Sequence, residues 1–296
     1  MRRIFLPHAL RALFNGVSQI FLQANPACGL LILATITLYA PSLLAGTLLG
    51  LISGTLAARL LGYAREDIEI GLYGYNAALL GMLIALVLGT STLALSLAIL
   101  AGALSSPLQR YLLRMMRERG GPAVFTLCFV LLGWGVMTVA GMLDAVVEAR
   151  LPEPRLDGWG VLGATASGIG QVIFIGEAGA GLCLLVAILI ANRRAGLWAL
   201  CGSAVGTFCV LLAGGTETQT LAGLAGYNPA LAALALSQVH RSAVAPALGI
   251  VLAIICKLVF DQLSLPPLTM PFILACWAVA QGTRWVQRRA KTQPAD

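Results

Sequence analysis

Glutamine and threonine side chains offer neutral oxygen acceptors, a chemistry for holding an uncharged polar solute rather than for breaking bonds. In this chain two of each recur in matched order. Gln19 follows Gly16-Val17-Ser18 and Gln171 follows Gly168-Ile169-Gly170, while Thr126 opens Thr126-Leu127-Cys128-Phe129 and Thr269 opens Thr269-Met270-Pro271-Phe272. Between them a third motif is written twice, as Gly71-Leu72-Tyr73-Gly74-Tyr75-Asn76 and as Gly223-Leu224-Ala225-Gly226-Tyr227-Asn228. The glutamines and the tyrosine-asparagine pairs are each 152 residues apart and the threonines 143. The second half therefore repeats the first with one shorter connection.

Each of these residues also has a structural reading. An amide facing lipid is costly, so Gln19 and Gln171 face either a neighbouring helix or a pore. Thr126 and Thr269 either bond the carbonyl one turn back in their own helices or present a hydroxyl to a solute. Pro271 cannot donate to the Pro267 carbonyl, which predicts a spare acceptor beside Thr269. Tyr75 and Tyr227 read as membrane-interface aromatics or as pore walls, and Asn76 and Asn228 as N-caps that start a half-helix. Leu79 and Leu231 share the tyrosines' face four residues on, as walls or as ordinary core. Glu177 departs from the symmetry, lying opposite Asn25, and reads as a solvated mouth residue.

The elements that position these residues are membrane helices. Hydrophobic residues make up 59% of the 296 and charged ones 10%, with a mean hydropathy of +0.89, against roughly 25% charged in soluble domains. That length holds about ten to twelve apolar segments of ~20 residues. The net charge of +7 is gathered at Arg2, Arg3 and Arg11, at Arg110, Arg114, Arg117 and Arg119, and at Arg284, Arg288, Arg289 and Lys291. Such clusters suit cytoplasmic membrane margins and not nucleic acid. The seven cysteines have no Cys-x-x-Cys spacing, and His8 and His240 are the only imidazoles, so no metal or cofactor site is expected. No nucleophile–base pair or phosphate loop supports catalysis.

The first half divides into candidate segments at 4–24, 27–40, 42–62, 71–88, 91–108 and 123–142, with the arginine-rich 109–120 separating the last two. Six full crossings would put that arginine cluster outside. Letting the tyrosine-asparagine segment enter and leave on one side keeps it inside, with both termini cytoplasmic and the acidic linker outside. Arg193-Arg194 runs against this count. The predicted architecture is an all-α polytopic membrane protein of two inverted repeats, residues 1–143 and 158–296, joined by an extracytoplasmic linker at 144–157. Each repeat has five transmembrane helices and one re-entrant pore helix, and the solute site lies near the midplane.

The paired glutamine segments, the paired Gly-x-x-Gly-Tyr-Asn motifs and Leu265-Pro266-Pro267-Leu268-Thr269-Met270-Pro271-Phe272 together resemble the urea transporters, from about Phe14 to Phe272. The resemblance implies a homotrimer in the lipid bilayer of a bacterial inner membrane, with one pore per protomer passing urea down its gradient. It implies a filter of Gln19, Gln171, Thr126 and Thr269, and slot walls at Leu22, Leu72, Tyr75, Leu79, Phe174, Leu224, Tyr227 and Leu231. Two positions depart from the family's pattern, namely Cys128 in place of a proline and Leu22 opposite Phe174. Alternative readings are a channel for another small neutral amide or for ammonia, and an ion-coupled transporter. The ion-coupled reading lacks a paired titratable group.

Overall fold

The computed structural model describes residues 7–142, 158–214 and 221–292. The linker expected at 144–157 lies outside the described residues, as do Arg2 and Arg3. The first half holds α1 (His8–Ser18), α2 (Pro26–Tyr39), α3 (Pro41–Leu60), α4 (Arg65–Glu69), α5 (Tyr75–Leu88), α6 (Thr92–Glu118) and α7 (Leu127–Met142). The second holds α8 (Gly158–Gly170), α9 (Ala178–Ala191), α10 (Arg193–Leu212), α11 (Tyr227–Val239), α12 (Val244–Gln262) and α13 (Met270–Thr292). The helices α3, α6, α10 and α12 are each long and apolar enough to cross a membrane.

The segment expected as a helix over 4–24 is a short one that ends in a sharp bend. α1 stops at Ser18, Gln19–Phe21 tighten into a 3₁₀ turn, and the chain bends by 76° into α2. The second half repeats the break, with Gln171–Ile173 in a 3₁₀ turn and a 72° bend between α8 and α9. Leu22 (φ 56°) and Phe174 (φ 62°) close the two turns in the left-handed region, where a side chain is strained and needs surrounding structure to hold it. Pro26 then starts α2, and Asn25 caps it by accepting from the Ala27 and Cys28 amides at 2.9 and 3.1 Å.

Small residues set the packing of α3, α5 and α6. Gly46, Gly50 and Gly54 lie one helical turn apart on α3 and let α5 approach so closely that an added Cβ would fall within 3 Å of the Gly81, Ala77 and Tyr73 carbonyl oxygens, respectively. This order makes α3 and α5 antiparallel. α5 is antiparallel to α6 as well, since Asn76 meets Gln109 while Ile84 packs on Ala94 and Ala98. α5 therefore runs from the end where α3 finishes to the end where α6 begins.

That geometry corrects the expected topology. At one end of the bundle His8 pairs with Glu69 at 2.8 Å, Asp67 lies 3.9 Å from Arg110 and 3.7 Å from Arg117, and the Arg110 guanidinium covers the Tyr63 ring. A tyrosine-asparagine helix that entered and left on one side would separate 63–69 from the arginine cluster. The structure puts them together, and the bent, glutamine-bearing pairs α1–α2 and α8–α9 supply the broken elements instead. The arginine-rich 109–120 is likewise no separate connection: α6 continues through it to Glu118. Arg193 and Arg194 also lose their conflict. Arg194 donates to the His240 and Arg241 carbonyls, and Gln238 beside them shares a cavity with Arg117, so both arginine pairs sit at the same end.

Candidate functional site

The repeated glycines explain how the tyrosine-asparagine motif meets the broken helices. Gly71 (φ 88°) and Gly223 (φ 74°) adopt a backbone that L side chains rarely take, and a Cβ at either would sit 2.4–2.5 Å from the Gly16 or Gly168 nitrogen. Gly74 and Gly226 pack against the Gly16 and Gly168 Cα atoms in the same way. This contact sets each glutamine. Gln19 Nε2 donates to the Ile70 carbonyl at 2.9 Å and Gln171 Nε2 to the Ala222 carbonyl at 2.7 Å. With the nitrogen engaged, the side-chain oxygen is the acceptor left over, and neither oxygen takes a bond from the described residues.

Asn76 and Asn228 cap helices, but not their own. Each sits second in its helix and accepts from the first turn of another: Asn76 Oδ1 from the Phe129 amide of α7 at 3.2 Å, Asn228 Oδ1 from the Phe272 amide of α13 at 3.1 Å. They thereby hold the starts of α7 and α13, where the threonines stand. Thr126 and Thr269 are buried, with their hydroxyls 2.7 Å apart. The within-helix bond is absent because each precedes its helix. The residues before them, Phe125 (φ 48°) and Leu268 (φ 42°), are left-handed. The Pro267 carbonyl is not spare, since it accepts from the Met270 amide at 2.9 Å.

Two cavities approach the threonine pair; Thr269 lines the larger, and Phe125, next to Thr126, lines the smaller, while Thr126 itself lines neither. One of about 490 Å³ gathers Gln19, Leu22, Leu72, Tyr75 and Phe125 and opens beside Arg117 and Gln238. The other, of about 720 Å³, gathers Gln171, Phe174, Leu224, Tyr227, Leu268 and Thr269 and opens beside Lys257 and Asp261. Gln238 ends α11 at the Arg117 end, and the 19 residues of α12 then span about 28 Å. The mouths accordingly lie at opposite ends of the bundle. Leu79 and Leu231 are buried and line neither cavity. Tyr75 and Tyr227 are also buried, which removes the interface reading. Glu177 is exposed at the start of α9, and Cys128 is buried with its thiol 3.3 Å from the Ser105 carbonyl.

Several residues of the site were not singled out from sequence. Gln109 is buried in α6, accepts from Asn76 Nδ2 at 3.1 Å and donates to the Tyr75 hydroxyl at 3.0 Å, while that hydroxyl donates to the Phe125 carbonyl. Trp134 Nε1 donates to the Pro266 carbonyl at 2.9 Å and Trp277 Nε1 to the Ala123 carbonyl at 2.8 Å. These bonds cross between the halves reciprocally. A signal existed for the tryptophans, which each lie eight residues after a threonine. Gln109 had none, because it falls in a stretch whose charge marked it as connection.

Broken apolar helices around a paired, uncharged polar centre define a membrane transport protein. The family model described as "Urea transporter" matches residues 10–284, and the chain belongs to that family, which is one of transporters and not of enzymes. The chain is similar to "Urea transporter 1" of Ovis aries and of Capra hircus, 29% identical to each over 291 residues that cover 88% of this chain and 73% of each relative. It is 27% identical to "Urea transporter 1" of Rattus norvegicus over 245 residues, covering 76% of this chain and 62% of that protein.

Proposed function

We propose that the protein conducts urea passively down its gradient, through the two cavities and past the threonine pair. What supports this reading is that two cavities, each with one glutamine and apolar walls, reach Thr269 on one side and Phe125, the neighbour of Thr126, on the other, while the two threonine hydroxyls bond each other. Urea is flat, neutral and rich in N–H donors. An apolar slot orients such a solute while Gln19, Gln171, Thr126 and Thr269 oxygens accept its hydrogen bonds in succession. Several weak sites let it enter and leave without trapping. An uncharged centre returns nothing to an ion for its lost hydration. Leu22, Leu72, Tyr75, Phe174, Leu224 and Tyr227 act as walls, Leu79 and Leu231 back the tyrosines, and Asn76 and Asn228 hold the threonine-bearing helix starts.

In this reading residues 1–143 and 158–296 are inverted halves of a protein in a bacterial inner membrane. The arginine-rich end and both termini are cytoplasmic, and the protein assembles as a homotrimer with one pore per protomer. The test is flux into proteoliposomes. Urea should enter well above the rate of empty liposomes, with no response to collapsing a proton or sodium gradient. Faster entry of acetamide, thiourea or ammonia than of urea would replace the substrate assignment, and gradient dependence would replace the mechanism.

A further inference from the structure

The two mouths are built at equivalent positions but carry opposite chemistry. α6 and α12 end alike, with Gly120 (φ 58°) and Ser264 (φ 52°) in the left-handed region and the next amide returning to the helix, Gly121 to Met116 and Leu265 to Phe260. Counting back from these matched ends aligns Arg117 with Asp261 and Leu113 with Lys257, and each of the four lines its own cavity. Arg117 suits its place, since a cation in the last turn complements the helix dipole. Asp261 does not. It puts a negative charge in the last turn of α12, and its partner Lys257 precedes it by four residues, the weaker order for a helical ion pair.

Helix stability therefore does not account for the pair, whereas the cavity it faces does. Lys257 Nζ lies 2.6 Å from Asp261 Oδ2, and Oδ1 takes no bond from the described residues. A carboxylate oxygen at a pore mouth accepts N–H donors of a planar diamide. It accepts those of guanidinium better, because that ion adds a full charge to the same geometry. An ammonium held against the carboxylate cancels this advantage and leaves the acceptor in place.

We propose that Asp261 is a recognition site for the N–H edge of planar diamides at the mouth of the larger cavity. Lys257 tunes that site against cationic isosteres such as guanidinium. The inference rests on the urea-channel reading for its physiological ligand. Its test is equilibrium binding of radiolabelled guanidinium to the purified, monodisperse protein, beside guanidinium inhibition of urea flux from each face of oriented proteoliposomes.

Lys257→Met should tighten guanidinium binding about tenfold, the order expected for one uncompensated charge at a partly solvated site, and Asp261→Asn should weaken it below wild type. Inhibition should sharpen only from the face bearing Asp261. Equal affinities in all three proteins, or sharpening from both faces, would overturn the proposal. If Lys257→Met does not fold, Lys257→Gln reads the same charge. Binding needs no conduction, so the affinity order without urea flux would remove the channel reading and leave the site standing.

Discussion

At the scale of single residues, the glutamines and threonines do different work although both offer oxygen. Gln19 and Gln171 are pinned through nitrogen, so Gln19→Leu or Gln171→Leu removes one acceptor and one anchor. A hydrogen bond worth about 1–1.5 kcal/mol corresponds to roughly a tenfold loss of urea flux per substitution, measured by stopped-flow light scattering, and wild-type rates would misplace the filter. The threonine hydroxyls bond each other, so either Thr126→Val or Thr269→Val leaves a buried hydroxyl unpaired. The double variant Thr126→Val/Thr269→Val should therefore lose less thermal stability than the two single losses added, by about 1 kcal/mol. Strict additivity would mean that the pair is not bonded.

At the scale of elements, the two asparagines show what local reading reaches and where it stops. Composition made the helical membrane class legible, and the repetition of motifs singled out Gln19, Gln171, Thr126 and Thr269, of which the two threonines meet and each glutamine lines a cavity. A cap, however, is recognised in sequence by its place before its own helix, and Asn76 and Asn228 cap the helices that follow much later in the chain. The breaks at Gln19 and Gln171 were hidden for a related reason. Leu22 and Phe174 are not residues that announce a left-handed backbone; tertiary packing imposes it. The placement of α5 was missed because charge counting ranks whole topologies, while the antiparallel order of α3, α5 and α6 comes from glycine contacts that no hydropathy window sees. Asn76→Ala should lower thermal stability by about 1–2 kcal/mol, the usual value of a lost cap. Asn228→Ala should cost less, because Asn76 also satisfies the buried Gln109 while the second Asn228 bond goes to a backbone carbonyl. Equal losses, read as equal shifts in melting temperature, would remove Gln109 from the account.

At the scale of the whole molecule, the proposed inverted halves would produce reciprocal bonds like those of Trp134 and Trp277 and cavities at opposite ends. An inverted arrangement places equivalent loops on opposite faces, and the loop holding Thr90 is equivalent to the one holding Arg241, 151 residues on. Glu66, Thr90 and Arg241 are all exposed. In a background lacking the native cysteines, Glu66→Cys and Arg241→Cys should react with an impermeant maleimide only from the cytoplasmic face, and Thr90→Cys only from the other. Each pairing tests a separate step. Glu66→Cys and Thr90→Cys reacting from one face would return α5 to a re-entrant helix and contradict its antiparallel run beside α3 and α6. Thr90→Cys and Arg241→Cys reacting from one face would make the halves parallel. Both cavities would then have to open on the same side, and the threonine pair could no longer stand in the middle of a pore.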